Sequence, residues 1–98
     1  VAGRDYELVT IFSPEIADDA FTQAVERLGA QIASRGGEVT DTNHWGRRRL
    51  AYPINRFYEG NYVVTRMQME PTQTRGLEVA LRITDDVLRH LLVSKDEG

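Results

Sequence analysis

Phe21, Val25, Leu28 and Ile32 recur at spacings of four, three and four residues. That spacing places them along one side of an α-helix and obliges that side to be buried against another element. Ser13-Pro14 offers the helix start, because serine caps and proline tolerates the first turn. Glu15, Asp18 and Asp19 follow where the positive end of the helix dipole favours carboxylates, and Gly36-Gly37 supplies the left-handed residue that ends the helix. The cover for this stripe is written on either side of it. Upstream, DYELVTIF from Asp5 to Phe12 sets Tyr6, Leu8, Thr10 and Phe12 on one side and Glu7, Val9 and Ile11 on the other, as suits a central strand that is apolar on both faces.

Downstream, β-branched and aromatic residues return from Glu38 to Tyr52, with Val39 and Trp45 on one parity and Leu50 and Tyr52 on the other. A bulge near Gly46 reconciles them. Pro53 to Gly60 reads as a hairpin connection. Asn61 to Met69 reads as the partner strand, with Val63, Thr65, Met67 and Met69 on one face and Tyr62, Val64, Arg66 and Gln68 on the other. Glu70-Pro71-Thr72 breaks it, and Gln73 to Arg82 forms a short helix with Leu77 and Leu81 inward and Gly76 as a weak point. The final run, Val87 to Val93, is open to two readings: Asp85 could cap a third helix, or the run is a buried strand. Read as a strand, it completes β-α-β-β-α-β, an α+β ferredoxin-like arrangement with two helices on one face of a four-stranded antiparallel sheet. Residues 1–98 then form one domain, whose helix-side core joins the stripe to Leu8, Val63 and Met67.

Catalytic and metal chemistry find little footing. There is no cysteine, so disulfides, thiolate nucleophiles and cysteine metal sites are excluded. His44 and His90 are the only imidazoles, one in an edge strand and one in the apolar final run, and neither has a ligand at metal-binding spacing. The paired acids Asp18-Asp19 and Asp85-Asp86 fall at element starts, where capping explains them. No metal, cofactor or small-molecule substrate is expected. No apolar run approaches the roughly 18 residues of a membrane helix, and the N-terminal VAGRDYELV lacks the pattern of a secretory signal. A cytoplasmic protein without a membrane partner is expected.

Positive charge is concentrated in one place. The net charge is -3, yet between Asp41 and Glu59 there is no acid, while Arg47, Arg48, Arg49 and Arg56 stand among Trp45, Tyr52, Phe57 and Tyr58. Such a cluster suits phosphate contacts and base stacking. It equally suits a solvated edge hairpin whose arginines prevent pairing with other sheets. The basic-Gly-aromatic pattern of a sheet-type RNA-recognition strand is absent from GNYVVTRMQM, which offers only Tyr62.

The run Gly46-Arg47-Arg48-Arg49-Leu50-Ala51-Tyr52-Pro53-Ile54 resembles the signature of the family of the sixth protein of the bacterial small ribosomal subunit. The likeness extends to Tyr6-Glu7-Leu8, Gly36-Gly37-Glu38-Val39, Trp45, Glu59-Gly60, Tyr62, Leu81-Arg82 and Asp86-Val87-Leu88-Arg89. It implies the ferredoxin-like fold with the last run as a strand. It also implies a non-enzymatic, ribosomal role in which small-subunit ribosomal RNA is bound together with small-subunit ribosomal protein eighteen. The alternative is a metabolite-sensing or dimeric enzyme-like domain on the same scaffold.

On this reading Arg47, Arg48, Arg49, Arg56, Tyr52 and Trp45 are the RNA-binding candidates. Strand side chains alternate faces, so the three consecutive arginines cannot all serve one surface. The partner-binding candidates are Val9, Ile11, Tyr62 and Val64, an apolar patch on the sheet face away from the helices, with Arg66 and Arg89 at its rim.

Overall fold

The computed structural model describes residues 3–54, 56–84 and 86–95. Its elements are β1 (Arg4–Phe12), α1 (Asp18–Ser34), β2 (Glu38–Ile54), β3 (Phe57–Met69), α2 (Pro71–Arg82) and β4 (Val87–Ser94). The sheet is antiparallel in the order β2-β3-β1-β4. The ambiguous final run is therefore a strand; Asp85, the alternative helix cap, lies outside the described residues.

β1 sits centrally because both of its faces are apolar, and its register decides which side each residue serves. Leu8 lies opposite Thr65 on β3 and Leu92 on β4, while Val9 lies opposite Val64 and Leu91. Paired residues share a face. Leu8, Met67 and Met69 thus join Leu28 and Ile32 of α1 and Leu77 and Leu81 of α2 in one core, with Tyr6, Val87 and Leu92 packed against it. Phe21 and Val25, at the N-terminal end of the α1 stripe, are only half-buried. Phe21 instead sets its ring edge-on to Phe12 and to His44, with centroids 5.4 and 5.9 Å away.

Neither helix starts where the sequence reading placed it. α1 begins at Asp18 with Ala17 as N-cap, not at Pro14. The preceding backbone is engaged otherwise: the Ser13 hydroxyl accepts from the Glu15 N–H at 3.2 Å, and the Ser13 and Pro14 carbonyls accept from Asn61 and Arg47. Asp18 and Asp19 alone occupy the first turn. α2 starts two residues before Gln73, with Pro71 itself in the first turn, where its missing N–H costs nothing. The end of α1 follows the sequence closely. Gly36 has φ +78°, its N–H bonds Ala33 and the Gly37 N–H bonds Ile32, the paired closure of a Schellman motif.

β2 is irregular, and this is what positions the arginines. Its register against β3 slips between Val39 and Asp41 and again between His44 and Gly46. The bulge expected near Gly46 is present, with Gly46 at φ +82°. The earlier slip was not foreseen, and it separates Val39, opposite Met67 on the helix side, from Trp45 on the open face. β1 ends with Phe12 opposite Asn61, whereas β2 and β3 continue pairing as far as Ile54 and Phe57. The hairpin therefore overhangs the sheet as a two-stranded arm, and the molecule reaches 41 Å along its longest axis.

Candidate nucleic-acid and partner interface

The bulge turns Trp45 onto the sheet face that carries no helix. There it stacks on Tyr62 with ring centroids 6.2 Å apart and planes 12° from parallel, and the Arg48 guanidinium lies 4.9 Å from the Trp45 ring centre. Trp45 remains 48% exposed. A half-open ring topped by a cation presents the guanidinium's flat face and charge, and the ring's exposed edge, to anything that approaches.

The three consecutive arginines are divided as strand alternation demands. Arg48 pairs across the strand with Gly60, leaving it free to fold over Trp45. Arg47 points to the helix side, where its Nη2 donates to the Pro14 carbonyl at 2.8 Å and its Nε lies 3.7 Å from Glu59. Arg49 is directly opposite Glu59. The acid-free stretch of sequence is therefore not acid-free in space: the antiparallel hairpin returns Glu59 to the arginines. Arg56 is exposed at the hairpin end with φ 73°.

Tyr52 and Arg89, assigned from sequence to different ligands, form one unit. Arg89 donates a hydrogen bond to the Tyr52 hydroxyl, and its guanidinium carbon is 5.9 Å from the Tyr52 ring centre. This contact ties the overhanging arm to β4. Beneath it lies a shallow depression of about 200 Å³ lined by Val9, Ile11, Leu50, Tyr62 and Leu91 among others.

The patch of Val9, Ile11, Tyr62 and Val64 does lie on the open face, but it is less exposed than expected. Ile11 is 9% and Val64 4% accessible, because neighbouring side chains on the same face already cover them. Val9 and Tyr62 are half-buried, and the large exposed apolar group here is Leu91, at 55%. Leu91 and Leu50 were missed. The signal for Leu91 was the alternation Arg89, Leu91, Val93 along β4; none existed for Leu50, whose cover comes from across the sheet. Arg66 is engaged by Glu7 at 3.5 Å, which also meets Lys95 at 3.4 Å.

The two histidines lie apart, His44 exposed on β2 and His90 half-buried on β4. His44 stands against Phe21, and His90 lies 3.4 Å from Glu78 of α2. Among the described residues no three His, Asp or Glu side chains are grouped to hold a metal ion, and no helix is long and apolar enough to cross a membrane.

The profile of the family described as "Ribosomal protein S6" matches residues 5–94. The small ribosomal subunit protein bS6 of Desulforudis audaxviator is 41% identical over 95% of this chain and 99% of its own length. That of Dehalococcoides mccartyi is 39% identical over 96% of this chain and 86% of its own. Among solved structures, 30S ribosomal protein S6 from Thermotoga maritima superposes with a TM-score of 0.90 at 28% identity, covering 95% of this chain and 88% of that one.

Proposed function

Since the chain belongs to the ribosomal protein S6 family, a structural and non-enzymatic component of the small ribosomal subunit, we propose that it binds the subunit's RNA jointly with a second protein, small-subunit ribosomal protein eighteen. The observation that carries the RNA half is the ladder Tyr62–Trp45–Arg48, an exposed stacking surface with a cation on top. A base laid against the flat guanidinium that tops the ring gains stacking, and the same cation attracts the adjoining phosphate. Arg56 and Tyr52 extend this surface along the overhanging arm, whereas Arg49 lies on the opposite face, across from Glu59. Arg47 positions the arm through Pro14 rather than touching RNA.

The protein half rests on the depression beside Leu91, rimmed by Arg89 and Tyr52. Its half-covered apolar floor suits an anchoring side chain from a protein partner. The net charge of -3 supplies the reason for joint binding. Attraction to RNA scales with the phosphates neutralised, and this chain offers few unpaired arginines on one surface. A basic partner docked on the open face lengthens the positive surface and pre-orients both proteins for one binding event.

The test is a titration of a central-domain ribosomal RNA fragment with this protein, with small-subunit protein eighteen, and with their mixture at fixed salt. The mixture is expected to bind more tightly than either protein alone. Equal binding by this chain alone would refute the joint mechanism, and no binding by the mixture would refute the RNA reading.

A further inference from the structure

The helix side of the sheet has a recess of its own, on the far side from the surface proposed for RNA and partner. A groove of about 190 Å³ runs between α1 and α2. Leu28, Leu77 and Leu81 make its floor, and Ala24 and Ala80 stand in its walls. Alanine on both helices leaves the gap above the leucines unfilled. The groove is stopped at both ends. At one it is lined by Phe12 and Val87, where the Ser13 N–H bonds the Asp86 carbonyl at 2.8 Å. At the other, Arg35 reaches from the end of α1 onto α2, so close to Gly76 that a methyl group there would stand 2.7 Å from its Nη1. Gly76 weakens α2 as a helix, but it seats a guanidinium.

Positive charge is set along one wall. Arg27, Gln31 and Arg35 follow at intervals of four residues, so their side chains form a row on the α1 side of the groove. Neither arginine meets a carboxylate among the described residues. Arg35 has the Gln31 Oε1 at 3.5 Å, and its Nε is buried without an acceptor among the described residues. A guanidinium partly withdrawn from water and short of acceptors favours an anion beside it. Among the described lining residues the acid is Asp86, at the opposite end with Phe12. The groove therefore has a direction, cationic toward Gly76 and apolar along Leu28 and Leu81 toward Phe12.

We propose that this groove binds a medium-chain aliphatic carboxylate. The carboxylate lies at Gln31 between Arg27 and Arg35, and the chain runs over Leu28 and Leu81 toward Phe12. Both guanidinium groups donate to it, and so does the Gln31 amide N–H, because the Gln31 oxygen is already turned to Arg35. An unbranched chain suits walls of alanine; its burial supplies affinity while the arginines fix its direction. A partner's helix or strand would have to pass through ends that Arg35 and the Ser13–Asp86 bond close. The site leaves Trp45, Arg48 and Leu91 untouched, so it stands apart from the proposed RNA and partner binding.

The experiment is a titration of the full, isotope-labelled chain with sodium octanoate, followed by amide NMR shifts at concentrations up to about 20 mM, as suits a ligand of so few atoms. Saturable shifts are expected in residues 20–35 and 73–84, with residues 45–52 unmoved. Octylammonium, with the same chain and the opposite charge, and acetate, with the charge and no chain, should each bind about tenfold more weakly or less. Arg27→Gln, at an exposed position, should weaken octanoate about fivefold while keeping the unfolding midpoint, and Arg27→Lys should retain most of the affinity. A folded Ala80→Leu variant, its groove filled, should not bind. The proposal is overturned by shifts that do not saturate, by equal binding of octylammonium or acetate, by unchanged affinity in Arg27→Gln or Ala80→Leu, or by shifts centred on the open face. Displacement of octanoate by a capped amphipathic helix of leucine and glutamate would overturn it as well, by assigning the groove to a protein partner.

Discussion

Replacing Leu28 with alanine tests the central packing claim, that the α1 stripe closes the core. Leu28 is 4% exposed and packs among Ile32, Leu77 and Leu81. The substitution removes three carbon groups, worth about 2.4 kcal/mol at about 0.8 kcal/mol each. A cavity cost comes on top, but Leu28 already lines a groove of about 190 Å³ between α1 and α2, shared with Phe12, Leu77 and Leu81. The new space opens into that groove instead of forming a sealed void. The loss should therefore fall toward the lower part of the roughly 2–5 kcal/mol range, at about 3 kcal/mol. For a chain of 98 residues this lowers the melting temperature by about 15 °C. Urea denaturation followed by circular dichroism measures it, with Trp45 fluorescence as a second probe to check that the transition is two-state. A loss below about 1 kcal/mol, typical of a surface position, would show that the stripe does not close the core.

Thr10→Val should stabilise the fold by about 1–2 kcal/mol, because Thr10 is fully buried and its hydroxyl has no hydrogen-bond partner among the described residues; a lower denaturation midpoint would mean that the hydroxyl is bonded in solution. Gly36→Ala should cost about 1–2 kcal/mol, since φ there is +78° while space for a methyl group is open; an unchanged midpoint would contradict a purely backbone origin. For RNA binding by the heterodimer, Trp45→Ala should cost about 1–3 kcal/mol, and Arg48→Ala should reduce the salt dependence by about one phosphate contact. Arg47→Ala should leave that salt dependence unchanged while increasing amide exchange in the Ser13–Asp18 loop, because its guanidinium holds Pro14; equal effects of the Arg47 and Arg48 substitutions on the salt slope would refute the division of faces.

Local patterns were enough to place the first five elements, the two faces of β1 and β3, and the inward side of each helix, but left the run from Val87 to Val93 open between helix and strand. Hydrophobic period and turn chemistry are properties of neighbouring residues, so Leu28, Ile32, Leu77 and Leu81 could be placed inside before any pairing was known. The Gly36 closure was legible for the same reason, since only the local φ decides it. The start of α1 was not. Ser13 and Pro14 have the chemistry of a helix start, but their carbonyls are taken by Asn61 and Arg47, partners 48 and 33 residues away. Register is likewise a relation between strands. The slip at Val39 that parts it from Trp45, the return of Glu59 to Arg47, and the joining of Tyr52 to Arg89 all depend on which residue faces which. The sequence by itself thus showed that positive charge and aromatic rings were concentrated in Trp45 to Arg56. Only the tertiary structure decided that Arg48 lies over the exposed ring of Trp45 while Arg47 is held by Pro14 and Glu59, because a side chain's availability is set by neighbours that the chain brings back from far along its length.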